Sequence, residues 1–582
     1  MRARTQLAAA AALAATLLAA PAPAAAAAVI TIVNGDGPGE GFNDPTPAPP
    51  APGNAGTTVG AQRVAAFERA AELWGATLDS TVEIQILANF DPLACTATTA
   101  VLGSAGALAI ANDFPGAEFP ATLYPIALAN KRAGGDLIPE DLPVTGGVIS
   151  RFDLRARFNA AIGQPGCLTG SGWYYGLDAN EPANQIDLVA VLLHEFAHGL
   201  GFAGFASVTT GAQPGGLDDI YSRYYFDVSR GKFRRELTDA ERVASAVNTR
   251  NVVWTGPNVG AAVPATLARG TPLLAVSAPA ALAGRYPVGP AIFGAPIGAP
   301  GLRGDVALAL DAATPAGGPS PTDACSPIEN AAEVAGRIAL VDRGTCGFVV
   351  KVKNAQDAGA VAVLVADNVA GSPPPGLGGA DPAITIPSAR ITLALGNAIK
   401  AQLAGTIVTV TLGLDLDVRA GADPAGRALL NTPDPVQPGS SVSHWDPIAS
   451  PSQLMEPAIN PDLTHALAPP VDLTAVQMLD IGWFPDRDLD VVDDRADACP
   501  ASVLAPTVVI GGIDTGVPNL LLPNGCTVKD LELACAAANP EHGHYVSCVG
   551  EVGKALRDAG LVTGEQRGAL QSAAGRSRPD RP

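Results

Sequence analysis

Hydrophobic positions along the chain fall into patterns that predict a few elements. Over residues 62–74 they recur at helical spacing, with Val64, Ala65, Phe67, Ala70, Ala71 and Trp74, as an amphipathic helix requires. In TVEIQILANF the residues Val82, Ile84, Ile86 and Ala88 alternate with Glu83, Gln85, Leu87 and Asn89. That period of two marks a strand with one buried face. Around Ile186 to Leu193 apolar residues cover a helix nearly all round, the pattern of a helix that runs through the centre of a domain. Asn184 is placed to cap its start, and Gly199 and Gly201 to end it. LTAVQMLDIGW, with Ala475, Met478, Leu479 and Ile481 apolar, predicts a last helix that ends at Gly482. Residues 35–60 are rich in Gly, Pro, Asn and Thr and predict an extended surface segment.

The central helix, LVAVLLHEFAHGLGF, carries the candidate chemistry. His194 and His198 are four apart and project from one face, roughly 5–6 Å from each other, so both can turn a ring nitrogen to one metal ion. Glu195 lies one step round the helix, where it can reach metal-activated water as a general base without being a ligand. A core helix with two incidental histidines is the bland alternative. Against it, the chain holds only six histidines, and two of them bracket a glutamate in catalytic order. A catalytic zinc site needs a third protein ligand. Gly204 stands where HExxHxxGxxH would place a histidine, so that short pattern fails. A carboxylate, Asp218 or Asp219, would make the site gluzincin-like. The remaining candidate is remote: Ser443-His444-Trp445-Asp446, followed by LMEP with Met455, one of only three methionines.

This succession resembles the leishmanolysin-like metzincins, in which HExxHxxGF is followed much later by a His-Trp pair and a Met-containing turn. The resemblance spans residues 29–483 with a large interruption. It implies an α+β zinc peptidase domain in which His194, His198 and His444 hold zinc, Glu195 is the general base and Met455 is the Met-turn residue beneath the metal. It also implies an edge strand beside the cleft that pairs with the substrate backbone, although the sequence does not say which strand. His465 follows the Met turn instead of preceding it, which makes it a poorer ligand candidate than His444.

The interruption has its own text. VAGRIALVDRGTCGFVVKVKNAQDAGAVAVLVADN reads strand, cysteine, helix, strand, and IPSARITLALGNAIKAQL adds a strand and a helix. It resembles the protease-associated (PA) domain, an α/β module whose resemblance implies no catalytic residue. The expected organisation is therefore a signal peptide at 1–28, the first part of the peptidase domain at 29–255, a PA insert at 256–415 and the second part at 416–484. An acidic segment at 485–500 and a C-terminal module with tail at 501–582 complete it. An insert whose ends lie close together leaves its host fold intact.

Composition and charge narrow the partners. Arg2, Arg4 and the alanine-rich run after them read as an export signal, and no other apolar run reaches membrane-spanning length. The formal charge of −20 argues against nucleic acid, whose binding is driven by cationic neutralisation of phosphates. Gly 64 and Pro 52 in 582 residues predict many turns. Eight cysteines in an exported chain read as disulfides: Cys95 with Cys167, Cys325 with Cys346, and Cys499, Cys526, Cys535 and Cys548 among themselves. A sharper alternative makes Cys95 a thiol that blocks zinc. Asp486, Asp488, Asp490, Asp494 and Asp497 resemble a thrombospondin type 3 repeat, which implies calcium held by carboxylates. Val491 replaces the glycine of that pattern, and an acidic linker is the alternative. The tail reads as a small disulfide-tied helical module with a disordered end, GRSRPDRP.

The expected protein is a secreted zinc metalloendopeptidase acting on protein or peptide substrates. Two competitors are a catalytically decayed binding or adhesion protein and a gluzincin-type peptidase.

Overall fold

The computed structural model describes residues 27–144, 147–313, 318–484, 497–522 and 524–577. Most of the expected export signal lies outside these residues, as do Asp486, Asp488, Asp490 and Asp494 of the calcium expectation. Ala28, inside the expected signal boundary, is buried, and its amide donates to Gly75 O at 2.9 Å.

The first core is built on a four-stranded sheet whose order is Ile30–Asn34, Ile84–Asp91, Leu154–Asn159 and Gly103–Ala107. The first three strands run parallel, and Gly103–Ala107 closes one edge antiparallel to Leu154–Asn159. Ile84, Ile86 and Ala88 are buried, as their alternation requires. Helix Val59–Thr77 packs on this sheet through Phe67, Ala70 and Trp74. Val64, expected on the apolar face, is instead 37% exposed.

The histidine helix is Leu188–Leu200, and almost every side chain on it is buried. Its cap is Asp187, not Asn184: Asp187 Oδ1 accepts from Val189 N at 2.8 Å and Ala190 N at 3.3 Å. Asn184 sits three residues too early, in the left-handed region at φ 66°. Trp74 Nε1 ties the two helices by donating to Leu193 O at 3.1 Å.

Residues 35–60 run mostly exposed and irregular up to Val59, as expected, but are pinned to the core at a few buried points. Phe42 stacks edge-on against Phe67 with ring centroids 4.7 Å apart, and buried Asn54 donates to Gln62 O and Tyr175 O. Side-chain anchoring compensates for the missing regular structure.

The insert is an eight-stranded sheet running from Arg269 to Arg419. Its centre is parallel: Leu302–Leu308, Ile338–Asp342, Ala362–Ala366 and Ser388–Ile391. Helices Phe348–Asp357 and Leu393–Leu403 pack against it in two separate apolar clusters. The strands by which the chain enters and leaves, Arg269–Ala278 and Thr409–Arg419, are antiparallel neighbours. The sheet thus spans 269 to 419, beside the expected limits of about 256 and 415. Helix Pro257–Thr266 belongs to the host, because Val259 and Val263 join the first core and Asn258 bonds Asp480 on the last host helix. That last helix is Thr474–Asp480, followed by Gly482 at φ 100°.

The C-terminal module has helices Val528–Ala538, His542–Asp558 and Gly564–Arg576. It also has a hairpin, Thr507–Ile510 with Ile513–Pro518, that the helical reading left out. The last helix takes in Gly575 and Arg576 of the tail expected to be disordered. The four disulfides are Cys95–Cys167, Cys325–Cys346, Cys499–Cys526 and Cys535–Cys548. Cys95 is thus paired, which removes it as a zinc-blocking thiol. Among the described residues no helix is long and apolar enough to cross a membrane.

Candidate metal centre

His194 and His198 leave the same face of Leu188–Leu200, with their Nε2 atoms 3.2 Å apart. His444 arrives from residues 437–446 of the second host segment, and its Nε2 lies 3.2 Å from that of His194. Each ring is held from behind by a backbone carbonyl: Nδ1 of His194 by Leu454 O at 2.7 Å, of His198 by Phe202 O at 2.9 Å, and of His444 by Ser440 O at 2.8 Å. A carbonyl only accepts, so each Nδ1 carries the proton and each Nε2 presents a lone pair.

Burial holds all three rings neutral. It depresses His194 to about 3 and His198 to about 4, and His444 well below the usual imidazole value, with a neighbouring histidine adding to the effect at His194 and His444. Three neutral acceptors facing one point leave their lone pairs uncompensated unless a cation lies between them. Tetrahedral zinc with its usual nitrogen distance would separate ligand nitrogens by roughly 3.3 Å, close to the observed spacing. The donor set fits zinc. Among the described residues this trio is the one group of three or more His, Cys, Asp or Glu side chains close enough to share an ion.

Glu195 stands beside the trio, 8% exposed, with its carboxyl pushed up by burial to about 8 and partly drawn back by a backbone hydrogen bond at Ala105. It is wedged against strand Gly103–Ala107. A Cβ at Gly103 would lie 3.0 Å from Glu195 Cγ and from the Phe158 ring, so no larger residue fits there without displacement. Met455 is completely buried, and its carbonyl accepts from Trp445 N at 2.8 Å, tying the methionine turn to the residue after His444.

The alternative carboxylates are elsewhere. Asp219 is buried and occupied: Oδ2 accepts from Phe205 N, and Oδ1 from Ser222 N. Neither Asp218 nor Asp219 joins the metal-competent group. His465, set aside as a ligand, places Nε2 2.8 Å from Asp187 Oδ2, the carboxylate that caps the histidine helix. Asp497, the described member of the calcium expectation, accepts from Cys499 N at 2.6 Å.

These groups open into a cleft of about 1030 Å³. One wall is formed by Thr98 to Ala105, and the other by residues 438–441, 443, 444 and 456–461. The first wall was not legible in the sequence. GSAGA has neither alternation nor a β-branched residue, so nothing in it signals a strand. Asp187 and its partner His465 were also missed, although an acidic residue directly before an apolar helix is a cap signal.

Comparison with known proteins identifies one part of the chain. It is similar to the probable lipoprotein aminopeptidase LpqL of Mycobacterium tuberculosis, 36% identical over 88 residues that make up 15% of this chain and 18% of that one. It is similar to vacuolar-sorting receptor 3 of Arabidopsis thaliana, 46% identical over 84 residues, 13% of each chain. The chain thus spans less than a fifth of the length of these curated relatives. Among solved structures it is similar to an aminopeptidase from Aneurinibacillus sp. strain AM-1, at 24% identity, 26% coverage of this chain and 31% of that one, with a TM-score of 0.19. The family model for the PA domain matches residues 303–399, so the insert carries a PA domain.

Proposed function

We propose that the chain is an exported zinc-dependent endopeptidase whose metal sits on His194, His198 and His444. The observation that carries this reading is the convergence of three lone-pair-bearing Nε2 atoms, each ring fixed by a carbonyl, beside Glu195 on the helix that supplies two of them. Zinc bound there would supply a Lewis acid for the scissile carbonyl and would lower the pKa of water to about 7. The charge of a cation on the histidines would draw the buried Glu195 carboxyl back down into its ionised form, in which Glu195 takes a proton from the attacking water and delivers it to the leaving nitrogen. The edge strand Gly103–Ala107, paired on one side only and with its Ala105 amide turned to Glu195, offers the rest of its open edge to an extended substrate. That arrangement favours cleavage within a chain over removal of one terminal residue. Four disulfides suit an oxidising compartment outside the cell.

The test is Glu195→Gln in the full chain. Zinc content is expected to stay at one ion per chain, while cleavage of an N-terminally blocked peptide falls by about 10²–10⁴-fold. Normal turnover by this variant would remove Glu195 from its role. Cleavage restricted to unblocked peptides would make the enzyme an aminopeptidase. A decayed binding protein would cleave neither substrate.

A further inference from the structure

The loop that delivers His444 is bent in a way its own sequence does not favour. Val442 is β-branched and sits in the left-handed region at φ 77°, a conformation that persists only where surrounding contacts enforce it. Its amide donates to Asn431 O at 2.7 Å, and Asn431 N in turn donates to His444 O at 2.8 Å. Its carbonyl accepts from the hydroxyl of Tyr221 at 2.8 Å.

Tyr221 is fully buried and comes from a segment that supplies no metal-competent side chain. Its ring packs on Phe202 at 5.7 Å and on Trp254 at 4.8 Å. Phe202 is the residue whose carbonyl holds Nδ1 of His198, and its ring also meets Trp445, next to His444, at 5.0 Å. One tyrosine therefore touches two of the three segments that orient ligand rings: by its ring, the loop behind His198, and by its hydroxyl, the loop that presents His444.

We infer that Tyr221 is a positioning residue for the metal centre, holding Val442 in its strained turn so that the His444 ring meets the helix pair at ligand distance. The inference rests on the zinc reading above. It assigns Tyr221 no contact with substrate or metal. It predicts that loss of the hydroxyl weakens metal binding by releasing the turn, and that a residue at ease in the left-handed region makes the hydroxyl dispensable.

The experiment measures zinc affinity by competition with a chromogenic chelator, in the full chain, for four variants. Tyr221→Phe is expected to weaken zinc binding roughly 10-fold or more, the range for groups that orient a ligand. Tyr225→Phe is the control: it removes another fully buried hydroxyl, bonded to Ser245 Oγ at 2.8 Å, in the same segment. It is expected to lower the thermal midpoint without changing zinc affinity beyond twofold. The double variant Tyr221→Phe with Val442→Gly is expected to recover affinity to within threefold of wild type, because glycine adopts positive φ freely. Its folding and metal binding carry the test even where Tyr221→Phe alone fails to fold. His444→Ala, the fourth variant, separates the two readings. Full zinc affinity in His444→Ala overturns the zinc reading and this inference with it. Loss there, with wild-type affinity in Tyr221→Phe, overturns the inference alone. Equal weakening by Tyr221→Phe and Tyr225→Phe, or no recovery in the double variant, also overturns it.

Discussion

The host cleft and the PA insert both bury polar groups, but they satisfy them in opposite ways. In the insert, Arg390 Nη2 lies 2.6 Å from Asp367 and Arg343 Nη1 3.0 Å from the same carboxylate, while buried Lys351 donates to Asp323 O. Each of these charges faces an opposite charge or dipole supplied by the protein, although Arg390 Nε and Asp323 Oδ2 are left without a partner. In the cleft, three neutral imidazoles turn acceptors toward one another, and only their far sides are satisfied by backbone carbonyls. Buried polar groups complete among themselves serve the fold. A set satisfied on its outer side only is the one the zinc proposal rests on.

Three experiments would break or sharpen that contrast. The largest effect is expected from chelation: cleavage should stop, and the host core should lose about 4 kcal/mol for a metal held at a thousandfold its dissociation constant. Amide exchange would read this as faster exchange around Leu188–Leu200 and residues 440–456, with the insert strands unchanged. Equal protection in both regions before and after chelation would erase the distinction.

Similar in stability, but without loss of cleavage, is the effect of Asp367→Ala, which strands Arg390 and Arg343 without their counter-charge. Asp367 and Arg390 are both almost fully buried, so the insert should lose about 3–5 kcal/mol, measured by denaturant unfolding. Zinc affinity should stay within twofold, and a parallel loss of metal would show that the two regions are not independent.

The smallest effect is expected from Met455→Leu, a nearly volume-conserving change at a completely buried site. It should cost less than about 1.5 kcal/mol and leave zinc affinity unchanged. A large fall in affinity would give the methionine sulfur a part in the site beyond packing.

The same contrast explains what the sequence disclosed. The histidine helix was legible because its chemistry and its apolar periodicity occupy one short stretch. His444 lies 246 positions beyond His198 by their numbering, and only the Ser-His-Trp and Met-turn resemblance pointed to it. Nothing local predicts that Val442 turns left-handed or that Tyr221 reaches across to it, since both follow from tertiary packing. The edge strand Gly103–Ala107 escaped notice because small residues carry no pattern, yet that smallness is what admits Glu195 beside it. The PA insert read well from alternating helix and strand text. Helix Pro257–Thr266, which packs in the host core, was not told apart from the insert, because it too is rich in alanine, glycine and proline.

The insert leaves and rejoins its host through two strands hydrogen-bonded along their length, with Arg269 opposite Arg419. Such a doorway lets the long excursion between second and third histidine leave the histidine trio undisturbed. Modules of quite different size could be exchanged there, and the histidine loop would still set out from the same place.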